Sequence, residues 1–537
     1  MDQADTARLA PAPSSPSFPR SLPACLPFLW CRVLFPGTAT AASRLRWRAL
    51  LFLLILPGAL LYPCLSFRLF EPDEGRYAEI PREMLSRGEW VVPYLQGEPY
   101  LDKPPLLYWL VMGSYRVFGV HDWAARLIPA LAVHGCVLLT YLLGRRSLGE
   151  RAAFWGALAL GLAPGFLSVG RLLVLDGLLA LWVTLSSFAA FEALRGQRLR
   201  WGWWLVAAGA SALGILTKGP VALVLLVPPL WAHRWLIGRS CRVTWPARLA
   251  FAAVLLAVTL PWYMAMCTRM PGFAGYFLWE HNVVRFMAPF DHQRPVWFYG
   301  PVVLAGLLPA SLLLVPMGRF LLSGDPDTVR RRCPELGWVL LTAGWCVLFF
   351  SLSGCKLPTY VLPAFPPLAL GLGYYLTESR WQRPRLLWAG SALMVVLLAT
   401  AHYVVVPAYA LYHSPLASPD AVADSCGDRD LPVVCYPRNC DSVAFYVGRD
   451  DLRSYRSKHT HLMVQFLQQQ PRAVIVFTHR HALQGLHEAL PPNLRLTGET
   501  SLGLPRASSA NGFFTALRRL TGETREDLYY LAIVERR

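Results

Sequence analysis

Ionisable residues gather in five short segments between long apolar runs, and their types suit the binding of an anion. The first segment opens with Glu71-Pro72-Asp73-Glu74-Gly75-Arg76-Tyr77 and runs on to Tyr100-Leu101-Asp102-Lys103-Pro104-Pro105. The second holds Asp176 after Arg171, and the third is Lys218. The fourth carries Trp279-Glu280-His281 and Arg285; the fifth reads Lys356-Leu357-Pro358-Thr359-Tyr360. Charged groups at membrane depth are costly unless they pair or face water, so Asp176 and Lys218 are candidates for function. Carboxylates beside Lys and Arg fit an anionic ligand at a lipid interface, with a carboxylate available for proton transfer or metal binding. Simpler roles stand beside these. Asp73 also suits a helix N-cap, Lys103 a snorkelling lysine, Tyr360 an aromatic belt, and Glu280 with Arg285 a surface pair.

The elements that must position these groups are membrane helices. Hydrophobic residues make up 55% of the 537, and only 16% are charged, well below the roughly 25% of a soluble chain. A span needs about 20 mostly apolar residues. Eleven runs qualify: roughly 47–66, 123–143, 151–170, 172–194, 201–217, 219–237, 246–266, 297–318, 335–353, 357–377 and 384–407. Counts up to 13 remain open. The run 106–119 is short and carries Arg116, which fits an interfacial helix after Pro104-Pro105.

The formal charge of +18 does not mark a nucleic-acid binder, because the basic residues recur in short clusters rather than one patch. From Arg44, Arg46 and Arg48, through Arg145, Arg146 and Arg151, to Arg380, Arg383 and Arg385, every second segment between runs is basic. That bias puts the N-terminus in the cytoplasm, and all five charged segments and the C-terminal part on the opposite side. Residues 1–46 read as a disordered cytoplasmic lead, 47–410 as the multi-span domain with an outer loop at 67–122, and 411–537 as an extracytoplasmic α/β domain. Strand-length runs occur at 431–436, 473–477 and 528–534, with amphipathic stretches at 459–470 and 480–490 between them. No Gly-rich nucleotide loop and no Cys-x-x-Cys occurs. Cys426, Cys435 and Cys440 leave a disulfide open without choosing a pair.

At Asp73-Glu74-Gly75-Arg76-Tyr77-Ala78-Glu79, Tyr100 to Pro105, Leu175-Asp176 and Lys356 to Pro363, the sequence resembles the GT-C glycosyltransferases that take sugar from a polyprenyl phosphate. It is similar to the branch of lipid A aminoarabinose transferases and, more distantly, protein O-mannosyltransferases, over about residues 47 to 420. The resemblance implies a polytopic α-helical fold of the GT-C type. It implies Asp73 as principal catalytic carboxylate and Asp176 as a second. Lys103, Arg76, Tyr360, Lys218 and Arg285 would hold the donor phosphate, and Tyr77, Tyr100, Glu74 and His281 the substrates. Asp102 would be the ligand of a divalent metal cation, if one is used. The implied reaction moves 4-amino-4-deoxy-L-arabinose or a related sugar from undecaprenyl phosphate to lipid A, in the bacterial inner membrane. Protein O-mannosylation and transport of a lipid-linked sugar are the alternatives.

Overall fold

The computed structural model describes residues 39–237, 241–288, 291–379, 384–413, 419–502 and 529–536. Each of the eleven apolar runs is helical. The first helix, α1 (Ala39–Leu61), starts ahead of its expected beginning at 47. Residues 1–38 of the expected disordered lead lie outside the described residues. The next elements are α2 (Asp73–Arg87), a small hairpin of β1 (Tyr94–Leu95) and β2 (Glu98–Pro99), and α3 (Leu106–Phe118). There follow α4 (Asp122–Leu148), α5 (Glu150–Gly161), α6 (Asp176–Leu194), α7 (Trp201–Lys218), α8 (Val221–Ile237) and α9 (Trp245–Arg269). The helical body closes with α10 (Pro334–Leu352), α11 (Phe365–Glu378) and α12 (Pro384–Thr400).

Among the described residues, five helices are long and apolar enough to cross a membrane, or up to seven if each of two bent pairs is one span. The bends lie inside expected runs. Residues 151–170 fold as Glu150–Gly161 and Pro164–Arg171 at 64°, and 297–318 as Val296–Gly306 and Ala310–Leu322 at 111°. Pro164 and Pro309 stand at the two breaks, where the missing N–H interrupts the helical ladder. Other runs are helical but short, such as the 17 residues of α8 and the 14 of α11.

Burial separates the helices by role. The apolar window of α6 is 83% buried, while that of α9 is only 17% buried and presents its side chains outward, as a lipid-facing helix does. Small residues let α5 and α11 meet at backbone distance. A Cβ on Gly373 would sit 2.4 Å from Gly156 N, and one on Gly156 would sit 2.7 Å from Leu370 Cα.

Two buried arginines tie the first loop to this body. Arg126, fully buried on α4, donates to both oxygens of Glu74 (2.8 and 2.7 Å) and to the carbonyls of Leu65, Phe67 and Arg68. Arg171 likewise donates to the carbonyls of Leu61, Pro63, Cys64 and His402. Irregular backbone at membrane depth survives only where its carbonyls find donors, and these guanidinium groups supply them.

The C-terminal unit is a five-stranded sheet with helices. Its elements are β3 (Val433–Tyr436), α13 (Asp441–Val447), β4 (Arg453–Ser454), α14 (Thr460–Gln468), β5 (Arg472–Phe477), α15 (Arg480–Ala489), β6 (Leu494–Ser501) and β7 (Tyr530–Arg536). The sheet order is β4-β3-β5-β7-β6, with β3 parallel to both neighbours and β7 antiparallel to β5 and β6. The three strand-length runs are β3, β5 and β7; β4, β6 and α13 lie outside the expected elements. Cys426, Cys435 and Cys440 are buried as free thiols. This unit rests on the first loop through α13. Phe445 packs among the side chains of α2 and α3, and the Tyr446 hydroxyl accepts from Leu69 N and donates to Asp122.

Two substitutions test this framework. Gly373→Ala gains helix propensity yet drives a Cβ into the α5 backbone, so folded protein should be lost on fluorescence-detected size exclusion in detergent. Arg126→Met leaves Glu74 buried without its partner and should cost about 3–5 kcal/mol of stability, read by thermal unfolding in detergent.

Candidate active site

The expected site residues divide between two neighbouring places. Six of them, Asp102, Lys103, Lys218, His281, Arg285 and Tyr360, line one cavity of about 430 Å³. Lys103 arrives on the loop after β2, and Lys218 is the last residue of α7. His281 stands on a π-helical segment, Gly275–Val284, and Arg285 follows directly at its end. Tyr360 sits on the 3-10 turn Pro358–Ala364 that leads into α11. Below these polar groups the wall is apolar, formed by Val221, Val224, Leu278, Phe286, Phe349 and Phe350. The cavity therefore has a cationic head and a hydrocarbon-like body.

The head is knit together. Lys103 Nζ donates to His281 Nε2 at 2.7 Å. Burial, then the nearby ammonium of Lys103, lowers the imidazole to about 3, so His281 is neutral and accepts. Burial also lowers Lys103 to about 7, against the pull of Asp102. An arriving phosphate would restore the full positive charge of this lysine. Lys218 pairs with Asp176 Oδ1 and lies 3.8 Å over the Tyr360 ring. Asp176 Oδ2 accepts from Thr359 at 2.8 Å. With both oxygens engaged, Asp176 fixes Lys218 and the Tyr360 turn from behind. Arg285 is held by Asp291 at 3.1 Å.

Asp102 Oδ1 accepts from the Tyr276 hydroxyl at 2.5 Å and lies 4.0 Å from His281 Nδ1. No group of three His, Cys, Asp or Glu side chains spaced for a metal exists among the described residues. A cation at Asp102 and His281 would have to draw its other ligands from substrate or water.

The second place is the N-terminus of α2. Asp73 is its first residue, half exposed and 3.6 Å from Arg76. The Arg76 guanidinium stacks over the Tyr100 ring at 5.9 Å, and Tyr100 is two residues from Asp102, so the two places are linked. Tyr77 is buried beneath, against Tyr108. Glu74 does not face a ligand. Its oxygens are taken by Arg126, Leu173 N at 2.7 Å and Phe70 N at 3.0 Å, so it is a tie within the loop.

Sequence reading missed a pair of carboxyls at this place. Glu71 Oε1 accepts from Ser442 N at 2.6 Å, while its Oε2 and Asp441 Oδ2 are buried without hydrogen-bond partners. Burial, with Asp441 adding to it, pushes Glu71 up to about 8, and burial pushes Asp441 up to about 6 against the pull of Arg76. Their separation of 370 positions leaves no sequence signal.

The helical membrane body, with its C-terminal sheet unit, has the fold of the GT-C glycosyltransferases. A crystal structure of ArnT from Cupriavidus metallidurans bound to undecaprenyl phosphate superposes with a TM-score of 0.69 at 20% identity, covering 92% of this chain and 98% of that one. Residues 45–277 match the family described as dolichyl-phosphate-mannose-protein mannosyltransferase. The undecaprenyl phosphate-α-4-amino-4-deoxy-L-arabinose arabinosyl transferase of Erwinia tasmaniensis is 34% identical over 68% of this chain and 67% of its own length. Transferase 2 of the same description from Pseudomonas fluorescens is 36% identical over 64% of this chain, and the match spans 58% of that relative's length. The chain belongs to this arabinosyl transferase family, with a polytopic α-helical GT-C fold and a C-terminal α/β unit.

The Glu71–Asp441 pair yields a pH signature. A carboxyl whose folded value is raised binds its proton more tightly in the folded state, so stability is greatest at low pH. It is lost as pH climbs from the ordinary 4.5 through about 8. Glu71→Gln keeps the hydrogen bond to Ser442 and cannot ionise. Thermal midpoints in detergent between about pH 5 and 9 should fall more steeply for the unaltered protein than for this variant.

Proposed function

We propose that the protein transfers 4-amino-4-deoxy-L-arabinose from undecaprenyl phosphate to lipid A. The observation that carries this reading is the cavity of Lys103, Lys218 and Arg285 above an apolar wall, which matches a phosphate on a hydrocarbon chain. The amphipathic shape supports a lipid-linked donor over a soluble nucleotide sugar, whose base would find no polar partner among Val221, Phe349 and Phe350.

The chemistry follows from charge. An acceptor oxygen attacks the anomeric carbon of the sugar, the bond from that carbon to the donor phosphate oxygen breaks, and undecaprenyl phosphate leaves with an added negative charge. Lys103, Lys218 and Arg285 are placed to neutralise that charge as it develops. A lipid A phosphate is already anionic and needs no base to activate it. Asp73 then acts through its own negative charge, facing the positive character that grows on the sugar ring, with Arg76 orienting it. Asp176 keeps Lys218 in place. In this reading the protein sits in the inner membrane with its N-terminus cytoplasmic and the C-terminal unit periplasmic, which the alternating basic segments support.

Lipid A mass spectrometry from cells with and without the gene tests the assignment: loss of the aminopentose mass is expected, and an unchanged profile removes lipid A as acceptor. Asp73→Asn preserves shape and removes charge, and should abolish transfer while the protein still inserts. Lys103→Ala should raise the KM for the donor about tenfold or more and leave the KM for the acceptor near its original value.

A further inference from the structure

A second cavity, of about 820 Å³, lies where α2 meets the C-terminal unit, and of its wall the reaction above uses Arg76 alone. Its volume falls within the roughly 300–1,000 Å³ of ligand sites. Arg76 lines it from the membrane domain; Arg438, Arg456 and Lys458 line it from the C-terminal unit. Among the described residues, no carboxylate lies within ion-pair distance of Arg438, Arg456 or Lys458. Unbalanced cations around one hollow repel each other unless an anion joins them.

Other wall groups also await a partner. Thr478 Oγ1 is buried with no hydrogen-bond partner in the structure. His479 Nδ1 accepts from Ala482 N at 3.2 Å, so its ring proton is on Nε2, a donor. Phe70 and Tyr409, with ring centres 5.8 Å apart, and Tyr529 supply flat apolar faces of the kind that sugar rings cover. The one carboxyl in the wall is Glu71, whose free Oε2 is enclosed beside Asp441 and is therefore kept protonated, able to donate rather than repel.

We propose that this cavity binds an anionic, phosphate-bearing saccharide head group of the acceptor, held by Arg438, Arg456 and Lys458. The assignment to the acceptor rests on the transfer reaction proposed above. It follows from lining: the donor cavity has the continuous Val, Leu and Phe wall that a polyprenyl chain needs, whereas this one sets three aromatic rings among four cations. Arg76 belongs to this wall and stands 3.6 Å from Asp73, so an acceptor seated here presents its anionic end beside that carboxylate.

The double variant Arg456→Ala, Lys458→Ala tests the site in the full-length protein. With bisphosphorylated lipid A as acceptor, its KM should rise about tenfold or more, while the donor KM stays within about twofold. The conservative exchange Arg456→Lys, Lys458→Arg should restore the acceptor KM, which a merely structural role would not require. An unchanged acceptor KM in the double alanine variant overturns the proposal. Inorganic phosphate separates the sources of the anion: if it displaces labelled lipid A only at concentrations well above those at which unlabelled lipid A does, the saccharide head group is the ligand. If it binds as tightly as lipid A, the site is one for free phosphate and the proposal falls. Direct binding of labelled lipid A, weakened in the double variant, reads the cavity even if no sugar transfer occurs. A failure of the transfer reading is thereby distinguishable from a failure of this one.

Discussion

The pairing of Glu74 with Arg126 is the constraint on which the site depends. A carboxyl and a guanidinium this deeply buried are tolerated because each satisfies the other with good geometry and the surrounding backbone takes up what remains. Through that pair the start of α2 is fixed to α4. Through Leu173 N the same carboxylate also fixes the strand-like entry to α6, three residues before Asp176. Asp73, Arg76 and Asp176 thus take their mutual positions from a single tie that itself contacts no substrate. Binding sites held to a fraction of an ångström need such support beneath them, and here it is ionic because the loop lies where water cannot serve.

The charged groups at the site form a graded series. Asp176 and Lys218 pair with each other and gain rigidity. Lys103 leans on a neutral histidine and is left short of its ordinary proton affinity, ready for an anion. Arg76 sits between the two cavities, shared by Asp73, Tyr100 and Asp441. A site that handles two anionic substrates must keep its cations apart when empty and use them when filled, and the spacing of these groups does both.

Much of this was legible in the sequence, for reasons that are local. Eleven apolar runs became helices because span length and composition act on consecutive residues. The strands at 433–436, 472–477 and 530–536 were visible as short β-branched runs. Lys103, Lys218, His281, Arg285 and Tyr360 were picked as charge or aromatic character out of place, and they line one cavity. What stayed hidden depends on distant partners. Glu74 reads as a substrate residue because its partner Arg126 lies 52 positions away. Arg126 was itself a charge inside an apolar run, the same signal that marked Asp176, and it went unused. Strand β6 carries polar residues and a register shift between Thr497 and Thr500, so its alternation is broken.

The π-helical segment Gly275–Val284 has a further bearing on how this site arose. An α-helix advances about 100° per residue, and a wider turn of this type accommodates one residue more than the regular ladder. Delete a single residue upstream of His281, letting the turn tighten, and the imidazole and the Arg285 guanidinium would both swing about a quarter of the way round the axis. The lysine would lose its acceptor and the cavity one of its cations in a single step. The site's register is therefore written in a residue count as well as in the side chains of Tyr276 and Leu278, and descendants of this sequence must keep the number of residues in this segment to keep His281 and Arg285 facing the cavity.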